Sequence, residues 1–341
     1  VRVAALEKKV DNVKWEGTVR YRYISGRKGD VRALGLASER DNQQYVTFRL
    51  EPSARINEHW TGHARFDYDT DMNTAQNTST VTVERMWVQG EYGDTNLLLG
   101  KLPYITNVDG GMIFDDNVAG GQVTFGKDVM VTLTAGRINN DFKDLIERVR
   151  PGYSVPSGED RSMTASYQSI EIYNDRDKKF TWGLGYHRFN NQAIFEDVFG
   201  KKDANIWEVG AGIKFDDNVA LNGAFAWNTS PDRQNGTGDK VTTGAKRAWT
   251  AELDYKGADP ADKGSFGLFA GYRYLGNFAA WAPTYDAAGA GQKGWEFGVD
   301  YVPFKNVQTT LKYFTGKEIA NYEGQSVRDV STIFGEVNFF F

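Results

Sequence analysis

Few of the residues able to do chemistry in this chain stand in the patterns that metals, nucleotides or catalysis require. His59 and His63 would share a face on a helix and could there bind zinc. On a strand, four residues separate them by roughly 13 Å, too far for one ion. Only 3 His occur in all, and none belongs to a recognisable Ser/His/Asp arrangement. Asp69, Asp71 and Asn73 begin like an EF-hand loop, but Thr74 stands where Gly is needed and Thr80 where the bidentate Glu should be. They read as an acidic loop tip, with a surface calcium site as the alternative. Gly121, Gly126 and Lys127 match most of a phosphate-binding loop. Asp128 replaces the Ser or Thr, however, and no helix is predicted after it. Gly289, Gly291 and Gly294 match the dinucleotide fingerprint in letters only, with no strand before them and no helix after. No cofactor is expected.

What remains is fixed charge. Arg20, Arg22, Arg49, Arg65 and Arg85, with Lys101, recur through the first third of the chain, and Asp109, Asp115 and Asp116 lie close together at 103–119. Opposite charges facing each other across a narrow aqueous gap make a transverse field. Such a field orients dipolar solutes and disfavours apolar ones. That chemistry needs a wall to hold the bases and a loop to hold the acids.

The sequence supplies walls. Trp15, Gly17, Val19, Tyr21 and Tyr23 alternate with Glu16, Thr18, Arg20 and Arg22. The same period of two recurs at Phe180–Tyr186, Trp207–Phe215, Trp249–Tyr255, Phe266–Tyr274, Trp295–Tyr301 and Ile333–Phe341. The apolar faces carry aromatics at one or both ends with smaller residues between, as a girdle around a lipid band requires. These segments run about ten residues, long enough to span hydrocarbon when tilted. Soluble strands are nearer five or six. Around Leu97–Leu102 both faces are apolar and the phase is open.

Short, turn-rich links fall at 93–95, 126–128, 174–178, 216–218, 257–263 and 303–306. Longer polar stretches fall between them, at 25–42, 70–80, 103–119, 139–161, 190–203, 229–246, 276–293 and 317–328. Eight long connections predict an all-β, antiparallel transmembrane barrel of about sixteen strands over 13–341, both termini on the short-turn side. An even count permits closure, which removes the edges a bilayer does not tolerate.

Composition agrees. The 341 residues are 14% aromatic, with 37 Gly and 8 Pro. Mean hydropathy is -0.54, and no apolar run is long enough for a membrane helix. The absence of Cys excludes a disulfide framework and thiolate chemistry. A net charge of -5 gives no reason to expect nucleic acid. Val3, Leu6, Val10 and Val13 carry a/d spacing, so residues 1–12 read as the end of a short coiled-coil stalk, with Val3, Leu6 and Val10 packing in an oligomer. Opening inside this pattern, the chain reads as processed or truncated.

The ending Val337-Asn338-Phe339-Phe340-Phe341 resembles the C-terminal strand of Gram-negative-type outer-membrane proteins, in which the last aromatic is part of the assembly signal. Glu84–Gly90, followed by Gly93 and Leu97–Lys101, is similar to strands four and five of general trimeric porins. Leu6–Gly17, a coiled-coil end running into a first strand, resembles the OmpM-type tethering porins, in which an S-layer-homology domain and a stalk precede a trimeric barrel. That domain is absent from this sequence, so peptidoglycan contact is expected only through it. The resemblance implies that 103–119 folds into the lumen, although the enterobacterial Pro-Glu-Phe-Gly-Gly sequence is missing there.

The expectation is a non-enzymatic homotrimeric porin of the outer membrane with periplasmic termini. Small hydrophilic solutes and ions would diffuse through water past a waist formed by Arg20, Arg22, Arg49, Arg65, Arg85, Lys101, Asp109, Asp115 and Asp116. Glu208, Glu252, Asp254, Glu296, Asp300 and Glu336 add acids on the polar faces of other strands. The alternatives are a structural tether with little transport and a barrel-type outer-membrane enzyme. Conductance in a planar bilayer separates the three.

Overall fold

The computed structural model describes residues 12–30, 37–73, 81–138, 140–150, 164–232 and 238–341. Val3, Leu6 and Val10, the expected stalk contacts, lie outside the described residues.

Sixteen strands close into one antiparallel barrel in which each pairs with its sequence neighbours. The first six are β1 (Val13–Lys28), β2 (Glu39–Arg55), β3 (Trp60–Asp71), β4 (Val81–Tyr92), β5 (Thr95–Ile105) and β6 (Asp115–Gly126). The middle of the chain forms β7 (Val129–Ile138), β8 (Ala165–Asn174), β9 (Phe180–Asn190), β10 (Asp203–Lys214) and β11 (Val219–Asn228). The last five are β12 (Arg247–Gly257), β13 (Phe266–Leu275), β14 (Gln292–Phe304), β15 (Val307–Glu318) and β16 (Asp329–Phe340). All eight expected long connections are present. The short turn at 56–59, between β2 and β3, escaped the sequence reading.

β1 closes the ring by pairing with both β2 and β16, so that Val19 stands between Phe48 and Phe339. The last residue completes the seam. Gly17 N–H donates to Phe341 O at 2.9 Å, and Phe341 N–H donates to Gly17 O at 3.0 Å. The Phe341 ring lies against Gly17, where an added Cβ would fall 2.4 Å from it, and stacks on Phe48 at 6.0 Å. The aromatic terminus therefore has a packing role in this barrel.

The outer surface is apolar. Leu184, Val209, Leu221, Leu253, Leu268 and Leu311 are exposed along the middle of the wall. Nearer the long loops, Trp207 pairs with Trp227, Phe225 with Trp249, and Trp295 with Tyr272. Trp15, Phe180, Phe215, Phe304 and Phe341 are exposed at the short-turn end. An apolar exterior on a ladder with no open edge is the transmembrane form of a β-sheet.

Two places shift the phase. A bulge between Arg65 and Phe66 lets Val83 and Met86 both face outward on β4 while Arg65 and Arg85 stay paired on the inner face. On β5, Leu99 is exposed and Leu102 buried, which settles the phase there.

The interior differs from a plain water-filled tube. Among the described residues, two long connections carry helices, α1 (Asn140–Val149) and α2 (Gln192–Phe199). Leu145, Ile146 and Val149 of α1 and Ile194, Phe195, Val198 and Phe199 of α2 are buried. They join Tyr104, Phe114, Tyr167, Phe189, Phe278 and Trp281 in one apolar core. Asn191 caps α2 by accepting from Ile194 N–H at 3.2 Å, and Gly200 ends it in the left-handed conformation.

Leu311 and Lys312 test the wall assignment, since Leu311 faces out between the girdles and Lys312 is its inward neighbour. Leu311→Arg is expected to cost roughly 2–4 kcal/mol of barrel stability, and Lys312→Arg almost nothing. Denaturant titration of both variants in detergent measures this, and equal tolerance would contradict the phase.

Candidate functional site: a loop-narrowed lumen

The connection between β5 and β6 turns into the barrel. Its loop proper is 106–114, within the expected span 103–119. Asp109 organises it: the carboxylate accepts from Thr106 Oγ1 at 2.5 Å, Gly111 N–H at 3.0 Å and Ile113 N–H at 2.8 Å. Gly110 and Gly111 take positive φ, 67° and 90°, to make the reversal. Burial raises the Asp109 carboxyl above its ordinary value, against the pull of those hydrogen bonds.

The loop crosses to the wall of β8–β10. Glu171 on β8 accepts from the N–H groups of Asn107 and Val108 and from Asn107 Nδ2. Val108 rests on the inner faces of Gly183 and Gly210. A Cβ at Gly210 would lie 2.2 Å from Val108 O. Glycine at this position lets the backbone of the loop touch the backbone of the wall.

A second loop, between β13 and β14, meets the first. Trp281 N–H and Ala282 N–H donate to Ile113 O at 2.8 and 3.1 Å, Thr284 N–H donates to Gly111 O at 2.9 Å, and Asp115 N–H donates to Ala282 O at 2.7 Å. Trp281 stacks on Phe189 at 3.8 Å between ring centres. Arg273 anchors this loop's far side. It donates to Glu296 at 2.8 Å, to Thr250 at 2.6 Å and to Glu252, and it lies 4.0 Å from the centre of the Tyr285 ring. Under the joined loops is a lumenal cavity of about 510 Å³, lined among others by Val108, Thr181, Asn222, Glu252, Arg273, Tyr285 and Lys312.

The expected bases divide as follows. Arg20, Arg22, Arg49, Arg65 and Arg85 all have partners on the inner face. Arg49 makes two 3.0 Å hydrogen bonds to Asp67, and Arg65 donates to the same carboxylate at 2.6 Å. Arg22 donates to Glu336 at 2.7 Å, and Arg20 lies 3.8 Å from it. Arg85 donates to Asn117 Oδ1 at 2.6 Å. Lys101 pairs in register with Met86 and Ala119, and Met86 is exposed on the outer wall. Lys101 therefore takes the outward phase, a correction to its expected place on the lumen wall.

The acids also move. Asp115 and Asp116 begin β6 instead of lying in the loop, because the β5–β6 ladder continues to Ile105↔Asp115. Asp115 accepts from Thr284 Oγ1 at 2.6 Å. Asp286, on the second loop, was not singled out from sequence. It accepts from Lys312 at 2.6 Å and lies 3.7 Å from Arg22. Glu336 is among the polar-face acids that strand alternation gives, whereas Asp67 and Asp286 carry no motif that marks them. Asp69 and Asp71 sit on β3, where Asp69 accepts from Thr47 Oγ1 at 2.5 Å and Asp71 accepts from Asn73 N–H at 2.8 Å. His59 and His63 stack on different aromatics, Tyr92 and Trp87, and do not converge.

If the inward loop narrows the pore, Gly210→Ala should lift it and raise single-channel conductance. Gly257→Ala, where an added Cβ meets nothing within 4 Å, is the control. Unchanged conductance in Gly210→Ala, with the barrel folded, would place the loop outside the conducting path.

No family model matches the chain, and no curated protein matches it in sequence. Solved structures do match in fold. Two engineered variants of the Rhodopseudomonas blastica porin are each 15% identical, with a TM-score of 0.52 over 96% of this chain and 100% of theirs. A third variant, 14% identical, gives the same score and coverage. The chain therefore has the fold of a sixteen-stranded porin barrel.

Proposed function

We propose that this protein is an outer-membrane porin, a passive, water-filled pathway for small hydrophilic solutes and ions. The observation that carries this reading is a closed barrel whose apolar exterior fits hydrocarbon and whose interior holds paired opposite charges around inward-folded loops. Diffusion past such a waist sorts solutes by size first and charge second. The waist lies between Arg20, Arg22, Arg49, Arg65 and Arg85 on the wall and Asp115, Asp116 and Asp286 on the loop side. Asp109 supports the loop from within.

The barrel assembles as a homotrimer with periplasmic termini. Support comes from an apolar depression of about 420 Å³ on the outer wall, lined by Pro52, Ala54, Gly62, Ala64, Val88 and Leu99 among others. Ala54, Gly62 and Ala64 leave room there for another wall to approach closely. A tethering role, of the kind the N-terminal resemblance implies, rests on a cell-wall-binding domain ahead of the barrel.

Reversal potentials under a salt gradient in planar bilayers test the assignment. Asp115→Asn with Asp286→Asn should shift the potential towards anion selectivity, and Arg20→Gln with Arg49→Gln towards cation selectivity, because fixed charge sets the local counter-ion concentration. Both shifts should shrink at 1 M salt, where the Debye length is about 3 Å. No shift at low salt in either variant would remove those residues from the waist, and a barrel that conducts no current would overturn the porin reading.

A further inference from the structure

We propose that Glu171, His187 and Glu208 form a binding site for one divalent transition-metal ion of the zinc class, roofed by the inward loop. The three side chains project inward from adjacent strands β8, β9 and β10. One ligand atom from each lies within 4.8 Å of the others. None is exposed: Glu171 and His187 are 0% accessible and Glu208 is 5%.

Charge is the first argument. Asp109 of the inward loop is buried close to Glu171 and Glu208, so three carboxyl groups and one imidazole are buried together. Among the described residues, no Lys or Arg forms an ion pair with Asp109, Glu171 or Glu208; the pairing present is His187 with Glu208 at 2.7 Å. Carboxylates buried without a cation beside them are costly, and one divalent ion balances two of them.

The hydrogen-bond chain is the second argument. Tyr104 donates to Glu171. The Tyr104 and Tyr167 hydroxyls lie 2.6 Å apart, and the Tyr167 hydroxyl lies 2.7 Å from His187 Nδ1. With the ring proton on Nδ1, donated to Tyr167, His187 Nε2 presents a lone pair 2.7 Å from Glu208 Oε1. In that tautomer a cation between the two is what joins them. Glu208 Oε2 is likewise buried with no hydrogen-bond partner.

One imidazole nitrogen with carboxylate oxygens is a donor set that zinc and its neighbours accept. The Nδ1–Tyr167 bond supplies the outer support that metal-bound histidines carry. Bonds of about 2.0 Å in a tetrahedral site would open the Nε2–Oε1 contact to roughly 3.3 Å. Because Glu171 also holds the amides of Asn107 and Val108, the ion would pin the loop to the wall.

The test uses the folded, chelator-treated and desalted protein in detergent. Zinc is titrated by calorimetry and counted by mass spectrometry of the metal after gel filtration. One equivalent per chain is expected. Affinity should fall roughly 10–100-fold in Tyr167→Phe and further in Glu208→Gln. Cobalt bound to the wild-type protein should show the visible absorption of a low-coordinate site, a readout that needs no variant to fold. Wild-type protein that takes up well under one equivalent of zinc, cobalt and manganese would overturn the proposal and leave protons as the neutralising charge. Zinc uptake undiminished in folded Glu208→Gln would overturn it as well.

Discussion

A backbone amide in hydrocarbon must find its partner within the protein, and the β1–β16 ladder is where this chain meets that demand for the whole sheet. Every other pair joins strands adjacent in sequence. This one joins the two ends and is non-local by the full length of the barrel. The reciprocal Gly17–Phe341 bonds extend it to the last residue. Once the ring is shut, alternation assigns each side chain to oil or to lumen with no third choice. The arginine-bearing faces of β1–β4 are inward for the same reason that Val19 and Phe48 are outward.

The lumen then meets a second demand. Loops folded into it bring backbone amides away from bulk water, and these need acceptors. Glu171 and Asp109 supply them, one from the wall and one from within the loop. Apolar packing supplies the rest of the adhesion. Phe114, Phe189, Phe195 and Trp281 contact one another, so the loop end of the barrel holds an apolar core of the kind found in soluble domains. A single chain thus has an inside-out exterior and a conventional interior at the same level of the wall.

Period two, loop lengths and aromatic placement made the strands legible, because those signals are local. The interior core was less so. Ile194, Phe195, Val198 and Phe199 carry helical spacing within eight residues, too short to stand out from a polar connection. Tyr104, Tyr167 and Phe189 sit on inner faces where a plain pore would have polar residues, so their alternation gave no sign of an apolar lining. The Glu171–His187–Glu208 group draws one residue from each of three strands, and such spacing depends on register. Lys101 shows the limit from the other side: Leu97–Leu99 and Leu102 make both faces of β5 apolar, and the phase is fixed only by the structure, through the exposure of Leu99 and the pairing with Met86.

The arrangement of charge on the inner face follows from the same register. Arg49 and Arg65 share Asp67, and Arg20 and Arg22 share Glu336. Each of these carboxylates serves two guanidiniums, Asp69 on the same face accepts from the Thr47 hydroxyl that also holds Arg20, and Arg85 is bonded to the neutral Asn117. Asp286 stands on the second loop, 3.7 Å from Arg22, and Asp115 at the start of β6. Arg22 meets Glu336 across the β1–β16 ladder and Arg49 meets Asp67 across β2–β3. Register therefore fixes each charge beside its partner, and the same pairing that closes the barrel holds both signs in place on its inner face.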